Sequence, residues 1–567
     1  TFLCLESMQR EGFSPDQVTF MCVLKACGSI GAIDKGKKIH DEILRRGLLE
    51  NNIMLGTALV DMYAKFGMLS KAKQVLEELP VRDVVSWSAL IVGYVKQGKG
   101  HKALHCFEQM KGEGLSPDAV TFSCILKACG STGDINKGKQ VHEDIISLNL
   151  LEKNAILGTA LVDMYAKFGV VSKAHEIHEK LVNRSVVSWN ALIAGYVQRG
   201  QDHEALDCFK QMQNEGFSPE PVTFACILKA CASIRDIDKG KHVHEEIVKR
   251  GLLEKNIILG TALVDMYAKC GELVKARKVL EELPVRDVVS WSTLIAGYTQ
   301  EGQGYEALEC FEQMQSEGFS PDVITFICIL NACGSIGSVD KGTRVHNAVI
   351  SMGFLEDLVL GSALMDMYVK CSALEKAHKV LKELPVRDVV SWNALIAGYV
   401  KQGQCHKALN CFERMQSEGL CPDVVTFVSI LKACGTRGTI DNGKQIHRKI
   451  LGRGLLGKGT MLGNALIDMY AKCGIFSEAK KVLKELSDRD VVSWNALIAG
   501  YAQQGQGNEV VNCVKLMQTE GLCPNTITFL CLLKVLGRTQ AIDIGREVHN
   551  DIVDRGLLDK DIRVGNS

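Results

Sequence analysis

Five tryptophans, Trp87, Trp189, Trp291, Trp392 and Trp494, recur 101 or 102 residues apart. Each sits in the same phrase. VVSWNALIAGYVKQG runs from Val389 to Gly403, and near-copies begin at Val84, Val186, Val288 and Val491. The phenylalanines of a TF pair, Phe20 to Phe529, keep the same step. Self-similarity at a fixed period marks a repeat architecture, in which one small unit stacks on copies of itself. Each long period divides into three related units. One, of 35 residues, begins VVSW and ends near SPD; the next, about 36, begins like AVTFSCILKACG; the third, of 31, resembles ILGTALVDMYAKFG and ends near LPVRD.

Each unit reads as two helices. Trp392, Leu395, Ile396 and Tyr399 fall at i, i+3, i+4 and i+7, one face of a helix. QGQC then supplies a glycine turn, and Ala408, Cys411, Phe412 and Met415 repeat the spacing in a second helix. Gly419 suits a C-terminal cap, and Pro422 cannot continue the helix. No period-2 strand pattern occurs. A hairpin of this size cannot bury its apolar face alone, so the expected fold is all-α: a superhelical α-solenoid of stacked helix-turn-helix hairpins with one continuous core.

Composition narrows the function classes. Lys and Arg balance Asp and Glu at 66 each, so no bulk basic field attracts a partner. No apolar run approaches the roughly 18 residues needed to span a bilayer, so no membrane partner is expected. The 22 cysteines fall mostly at repeat-equivalent places. LKACG carries Cys27, Cys129, Cys231, Cys333 and Cys434, where the sixth copy has Leu536; AKCG carries Cys270 and Cys473, where earlier copies have Phe66 and Phe168. A position that accepts Cys, Leu or Phe is a core position rather than a metal ligand. The chain starts in mid-pattern at Thr1 and stops at Ser567 just after a new copy begins, so it reads as a fragment cut at both ends.

With the units laid out, the chain resembles the pentatricopeptide repeat family, in the subclass built of P, L and S triplets. The likeness is carried by VVSWNALIAGYVKQG…ALNCFERMQSEGLCPD (P), VVTFVSILKACGTRGTIDNGKQIH (L) and GNALIDMYAKCGIFSEAKKVL (S). Tetratricopeptide repeats share a Trp-x-x-Leu start but want Gly straight after the Leu, where this chain has Ile396. The resemblance implies a right-handed superhelix and one array over 1–567. A partial P unit spans 1–16. Triplets in the order L, S, P follow at 17–118, 119–220, 221–322, 323–423 and 424–525, then L at 526–561 and a partial S at 562–567.

The family binds single-stranded RNA in organelles, one base per repeat, through the fifth and last residues of a unit. The residue after each Trp is the variable one: Ser88, Asn190, Ser292, Asn393, Asn495. Asn393 follows the core Trp392, so its side chain is expected about 100° away, toward the groove opening, beside the small Ala397 and with Lys401 two turns on. Amides and hydroxyls suit base edges. Carried over residue by residue, Thr57 with Asp83, Ser88 with Asp118, Thr261 with Asp287, Ser292 with Asp322 and Ser362 with Asp388 resemble guanine readers. Asn393 with Asp423 and Asn464 with Asp490 resemble uracil readers, and Asn495 with Asn525 a pyrimidine reader leaning to cytosine. Thr159 with Ser185 and Asn190 with Glu220 depart from the pattern. The L units carry Met21, Ser123, Ala225, Ile327, Val428 and Leu530 at the fifth place and read as spacers or weak contacts. The implied target, 5′ to 3′ from the first L unit, is N-GG-N-RY-N-GG-N-GU-N-UY-N, with N unread. The second residue of each unit is apolar, as at Val85, Val187, Val289, Val390 and Val492 and also Val359 and Val425, and in the family it wedges between bases. The alternative is a strand-like residue before a helix start.

Lys65, Lys167, Lys269, Lys370 and Lys472 recur in the S units as candidate phosphate contacts. If about five phosphates are met, log affinity should fall with log salt at a slope of roughly −3.5. The alternative is a solvated lysine complementing a helix C-terminus. GAIDKGKK from Gly31 and GDINKGKQ from Gly133 have phosphate-loop spacing but lack its final Ser or Thr and follow no strand. His40, His142, His244, His346, His447 and His549 recur in the second L helix; His244 with Glu246 spells H-x-E without the P-C-x-x-C of a zinc deaminase. These read as packing or solvent-facing histidines. No catalytic constellation, metal, cofactor or small-molecule substrate is expected. The implied function is the targeting module of an organellar RNA-processing factor, C-to-U editing foremost, in chloroplast or mitochondrion. Its partners would be single-stranded organellar RNA and proteins of an editing complex, with E and DYW domains absent from this fragment. The rival is a protein-binding α-solenoid of tetratricopeptide type.

Overall fold

The computed structural model describes residues 5, 7, 8, 10–49, 52–151, 154–254, 256–456, 459–539 and 542–554. The expected partial S unit at 562–567 lies outside them. Among the described residues the regular structure is helical throughout, with one 3-10 turn at Phe354–Glu356. The chain divides into two compact units, Thr1–Thr293 and Leu294–Ser567.

In the first unit each sequence repeat is a helix pair. An L repeat forms Gln17–Ile30 and Ile33–Arg45, the S repeat after it Ile53–Lys65 and Leu69–Glu78, and the P repeat Val84–Lys96 and Gly100–Gly112. First helices pack on first helices: Ile53–Lys65 lies against both Gln17–Ile30 and Val84–Lys96. The second unit repeats the plan, with Val389–Lys401 and Cys405–Ser417 as one P pair. The apolar face of that pair is fully used. Trp392, Leu395, Ile396, Tyr399, Ala408, Cys411, Phe412 and Met415 are all buried. Gly403 and Gly419 turn the chain in the left-handed region at φ 72° and 81°, where glycine alone carries no Cβ penalty.

The three repeat types fill their fourth position differently. P units place Trp there, L units Phe, and S units Gly56, Gly158, Gly260, Gly361 and Gly463. In the S units a leucine from the return linker, such as Leu79 over Gly56 or Leu486 over Gly463, occupies the space that a Cβ would need. The same linker carries an arginine tied down twice. Arg387 donates to the carbonyls of Leu381 and Lys382 at 2.8 and 3.1 Å and pairs with Glu418 of the next hairpin at 2.9 Å. The short S unit is thus closed by its linker, with a second helix of 10 residues where P has 13.

Candidate functional site

The last residue of each P and S unit opens the next helix. Asp83, Asp287, Asp388 and Asp490 each accept from the backbone N–H three residues on at 2.8 Å, as do Asp118, Asp322 and Asp423. Ser185 and Asn525 do the same at 3.2 Å, and Glu220 closes a capping box with Thr223. These are N-caps, satisfying donors that a helix start leaves open. The sequence reading gave them no such role, although the spacing Asp-x-x-Ser/Thr in DVVS and DAVT was its signal.

In the P units that cap also holds the fifth residue. The Asn393 amide nitrogen donates to Asp423 at 3.0 and 3.1 Å, and the Thr426 hydroxyl lies 2.6 Å from Asn393 Oδ1. Asn495 repeats the arrangement, donating to Asn525 at 3.0 Å and accepting from Thr528 at 2.7 Å. Asn190 donates to Glu220 at 3.3 Å and accepts from Thr223 at 2.5 Å. Ser88 donates to the Val84 carbonyl at 2.7 Å and meets the Thr121 hydroxyl, which reaches Asp118. Ser292 donates to the Val288 carbonyl at 2.7 Å. Burial alone would raise the Asp423 carboxyl, but bonds from Thr426 and Asn393 hold it below the usual carboxylate range, so it stays ionised at neutral pH.

The S units are looser. Asn464 donates to Asp490 at 3.3 Å and accepts from Ser493 at 2.5 Å; Thr57 donates to Asp83 at 3.3 Å. Ser362 meets the Ser391 hydroxyl at 3.3 Å. Thr159 and Thr261 instead donate back into their own helix, to Ala155 and Ile257 at 3.0 and 3.2 Å. The structure therefore joins some predicted pairs directly and leaves others bridged or apart.

One expectation is corrected. Asn393 does not extend toward the opening: it is only 8% exposed, and Asn495, Ser88 and Ser292 only 6%. The hydrogen bonds to the next helix fold the side chain back. What stands out beside it is the second residue, with Val390 63% exposed. Val85, Val187, Val289 and Val492, with Val359 and Val425, are exposed in the same way.

In the first unit these side chains border open cavities. One of about 670 Å³ is lined by Ser123, Lys127, Ile156, Thr159, Ser185, Val187, Asn190, Ala194, Glu220 and Val222 among others. Another of about 400 Å³ is lined by Ala225, Lys229, Ile258, Thr261, Asp265, Asp287 and Val289 among others. Every lining residue comes from a first helix or its cap, so the first helices alone build the groove wall.

The S-unit lysines are not free. Lys65, Lys167, Lys370 and Lys472 each sit 2.7 Å from the aspartate one turn back, Asp61, Asp163, Asp366 and Asp468, and Lys269 sits 2.8 Å from Asp265. Each also ends its helix. Their charge is balanced locally, so a phosphate must compete with a carboxylate. The DMYAK phrase already carried that i, i+4 spacing.

Five of the recurrent histidines pack, whereas His549 is exposed. His40, His142, His244, His346 and His447 each meet a tyrosine hydroxyl of the following S helix at 2.9 or 3.0 Å. Burial lowers all five imidazoles below the usual histidine range. Cys129, Cys231 and Cys333 are buried, and burial pushes their thiols up to about 12. Among the described residues no group of three His, Cys, Asp or Glu side chains is placed to hold a metal, and no helix is long and apolar enough to cross a membrane.

Comparison with known proteins places this geometry. The PPR repeat family model matches at 82–131, 184–233, 286–335, 387–436 and 489–538, and a PPR repeat model at 18–48, 57–84, 120–150, 261–288, 362–389 and 464–491. A mitochondrial pentatricopeptide repeat-containing protein of Arabidopsis thaliana is 35% identical over 94% of this chain and 69% of its own length. A second mitochondrial one is 36% identical over 94% of this chain, which spans 58% of that protein. A chloroplastic one is 31% identical over 98% of this chain, which spans 63% of it. The crystal structure of the pentatricopeptide repeat protein PPR10 from maize superposes with a TM-score of 0.62 at 20% identity, covering 98% of this chain and 91% of that one. The same maize protein in complex with an 18-nt psaJ RNA element gives 0.60 at 19%, covering 96% and 85%. At these identities the structural likeness establishes the fold.

Proposed function

The chain belongs to the PPR repeat family, and from that premise we propose that it binds single-stranded RNA by sequence, one base per P or S unit. The observation that carries the reading is the pairing at Asn393. Its amide is joined to Asp423, thirty residues away, and to Thr426, yet each Asn keeps an N–H or a lone pair for a base edge. Capping does not explain the choice of last residue, because Asp, Asn and Ser all cap well. The exposed Val390 beside it offers an apolar face for stacking. The maize neighbour's RNA complex supports the same partner.

In this reading Thr57/Asp83, Ser88/Asp118, Thr261/Asp287, Ser292/Asp322 and Ser362/Asp388 read guanine, and Asn393/Asp423 and Asn464/Asp490 read uracil. The chain serves as the targeting part of an RNA-processing factor, C-to-U editing first among the outcomes, within the triplet subclass and with editing-complex proteins as further partners. The names of the relatives, mitochondrial and chloroplastic, favour an organelle as its place of work. The test is binding of an RNA carrying N-GG-N-RY-N-GG-N-GU-N-UY-N against RNAs of equal composition in scrambled order. Preference for the ordered target by about 10³-fold or more, the range of specific over non-specific binding, is expected. Equal affinity for every order contradicts the reading.

A further inference from the structure

Apart from Ser123, the L units carry apolar fifth residues with no polar group for a base edge, but they hold a different resource. Their ninth residue, one turn beyond the fifth on the same helix face, is Lys25, Lys127, Lys229, Lys432 and Lys534, and Asn331 in the fourth copy. All five lysines are exposed. Lys127 and Lys229 line the two groove cavities, beside the fifth-position residues of the following S units. None has a carboxylate within one turn on its own helix: Lys127 is flanked at i−4 and i+4 by Ser123 and Ser131, and Lys229 by Ala225 and Ser233. The S units contrast. There the ninth residue is aspartate, and it consumes the lysine one turn on at 2.7 or 2.8 Å. In these two cavities Asp163 and Asp265 are therefore already neutralised, while the exposed Lys127 and Lys229 border the same space, the buried Asp202 acting electrostatically on Lys229.

We propose that these L-unit lysines, not those of the S units, are the phosphodiester subsites of the groove. Resting on the RNA reading above, this makes the L unit a backbone clamp once per triplet, with a gap at Asn331. A lysine ammonium is a compact point charge suited to a phosphate and blind to sequence.

The experiment measures affinity for the ordered RNA across salt concentrations. In the triple variant Lys127→Gln, Lys229→Gln, Lys432→Gln, the slope of log affinity against log salt should shrink by about 2, or about 0.7 for each phosphate no longer neutralised. The preference for the ordered over the scrambled RNA should be retained. Asn331→Lys should steepen the slope by about 0.7 and tighten all RNAs alike, a gain that misfolding cannot mimic. Lys37→Gln, Lys139→Gln, Lys249→Gln removes the same charge from exposed positions of the second L helices and should leave the slope unchanged. An unchanged slope in the first triple, or an equal loss in both triples, overturns the inference while leaving base reading intact. A wild-type chain that binds no RNA overturns both.

Discussion

Asn393 and Asn464 are the same residue, one in a P unit and one in an S unit, and each unit ends in the same Asp. Their surroundings differ. Asn393 meets both oxygens of Asp423 at 3.0 and 3.1 Å and is buried; Asn464 meets one oxygen of Asp490 at 3.3 Å and is half-buried. Two local causes account for this. The residue before Asn393 is Trp392, whose buried indole backs the helix, whereas the residue before Asn464 is Gly463, with Leu486 from the linker filling the space a Cβ would need. The hydroxyl closing the site comes from Thr426 in one case and Ser493 in the other, and threonine adds a methyl as cover. A chain can thus repeat a polar pair and tune its rigidity through the neighbours.

The largest test of that contrast removes the backing. Trp392→Ala should cost about 3–5 kcal/mol, as large core truncations do. Gly463→Ala should cost about 1–3 kcal/mol by forcing Leu486 aside. Denaturation of the two variants measures both; equal losses would contradict the different packing of the two unit types. Next comes the closing hydroxyl. Thr426→Val leaves the buried Asn393 carbonyl without its donor and should cost about 1–3 kcal/mol, with Ser493→Ala nearer the low end because Asn464 can turn to water. A larger loss at Ser493 would reverse the ranking.

Acid should separate the units as well. Every S helix with a His partner depends on an imidazole kept neutral by burial, as at His447 and Tyr470. Above the unfolded histidine pKa of about 6.5 both states are neutral and the contact is intact. As pH falls below that value the unfolded chain binds protons that the folded chain resists, so stability declines. Hydrogen exchange should quicken in Thr460–Lys472 before Val491–Gln503, whose Tyr501 meets Lys480 in place of a histidine, as pH drops from about 7 to about 5; simultaneous loss would tell against it. The smallest effect on stability is expected from Asp423→Asn, within about 0.5 kcal/mol, since Asn caps a helix as well as Asp does. In the base-reading account the same change moves preference at one nucleotide from uracil toward cytosine, matching Asn495 with Asn525.

Much of this was legible in the sequence, because the core signal is local. Trp392, Leu395, Ile396 and Tyr399 mark a helix face from spacing alone, and all four are buried. The burial of Asn393 was not, since its partners lie 30 and 33 residues away and become neighbours only when the next hairpin docks. Leu486 filling the site of Gly463 is hidden for the same reason. The Asp468–Lys472 pair is legible in the sequence from its i, i+4 spacing, because both partners lie on one helix.

The most direct test of the account is Asn393→Ser with Asp423 unchanged, read by binding to RNAs that differ only at the nucleotide opposite this unit. The account predicts that preference moves from uracil to guanine by about 1–2 kcal/mol at that nucleotide alone. Unchanged preference, or a loss shared equally by every RNA, would contradict it.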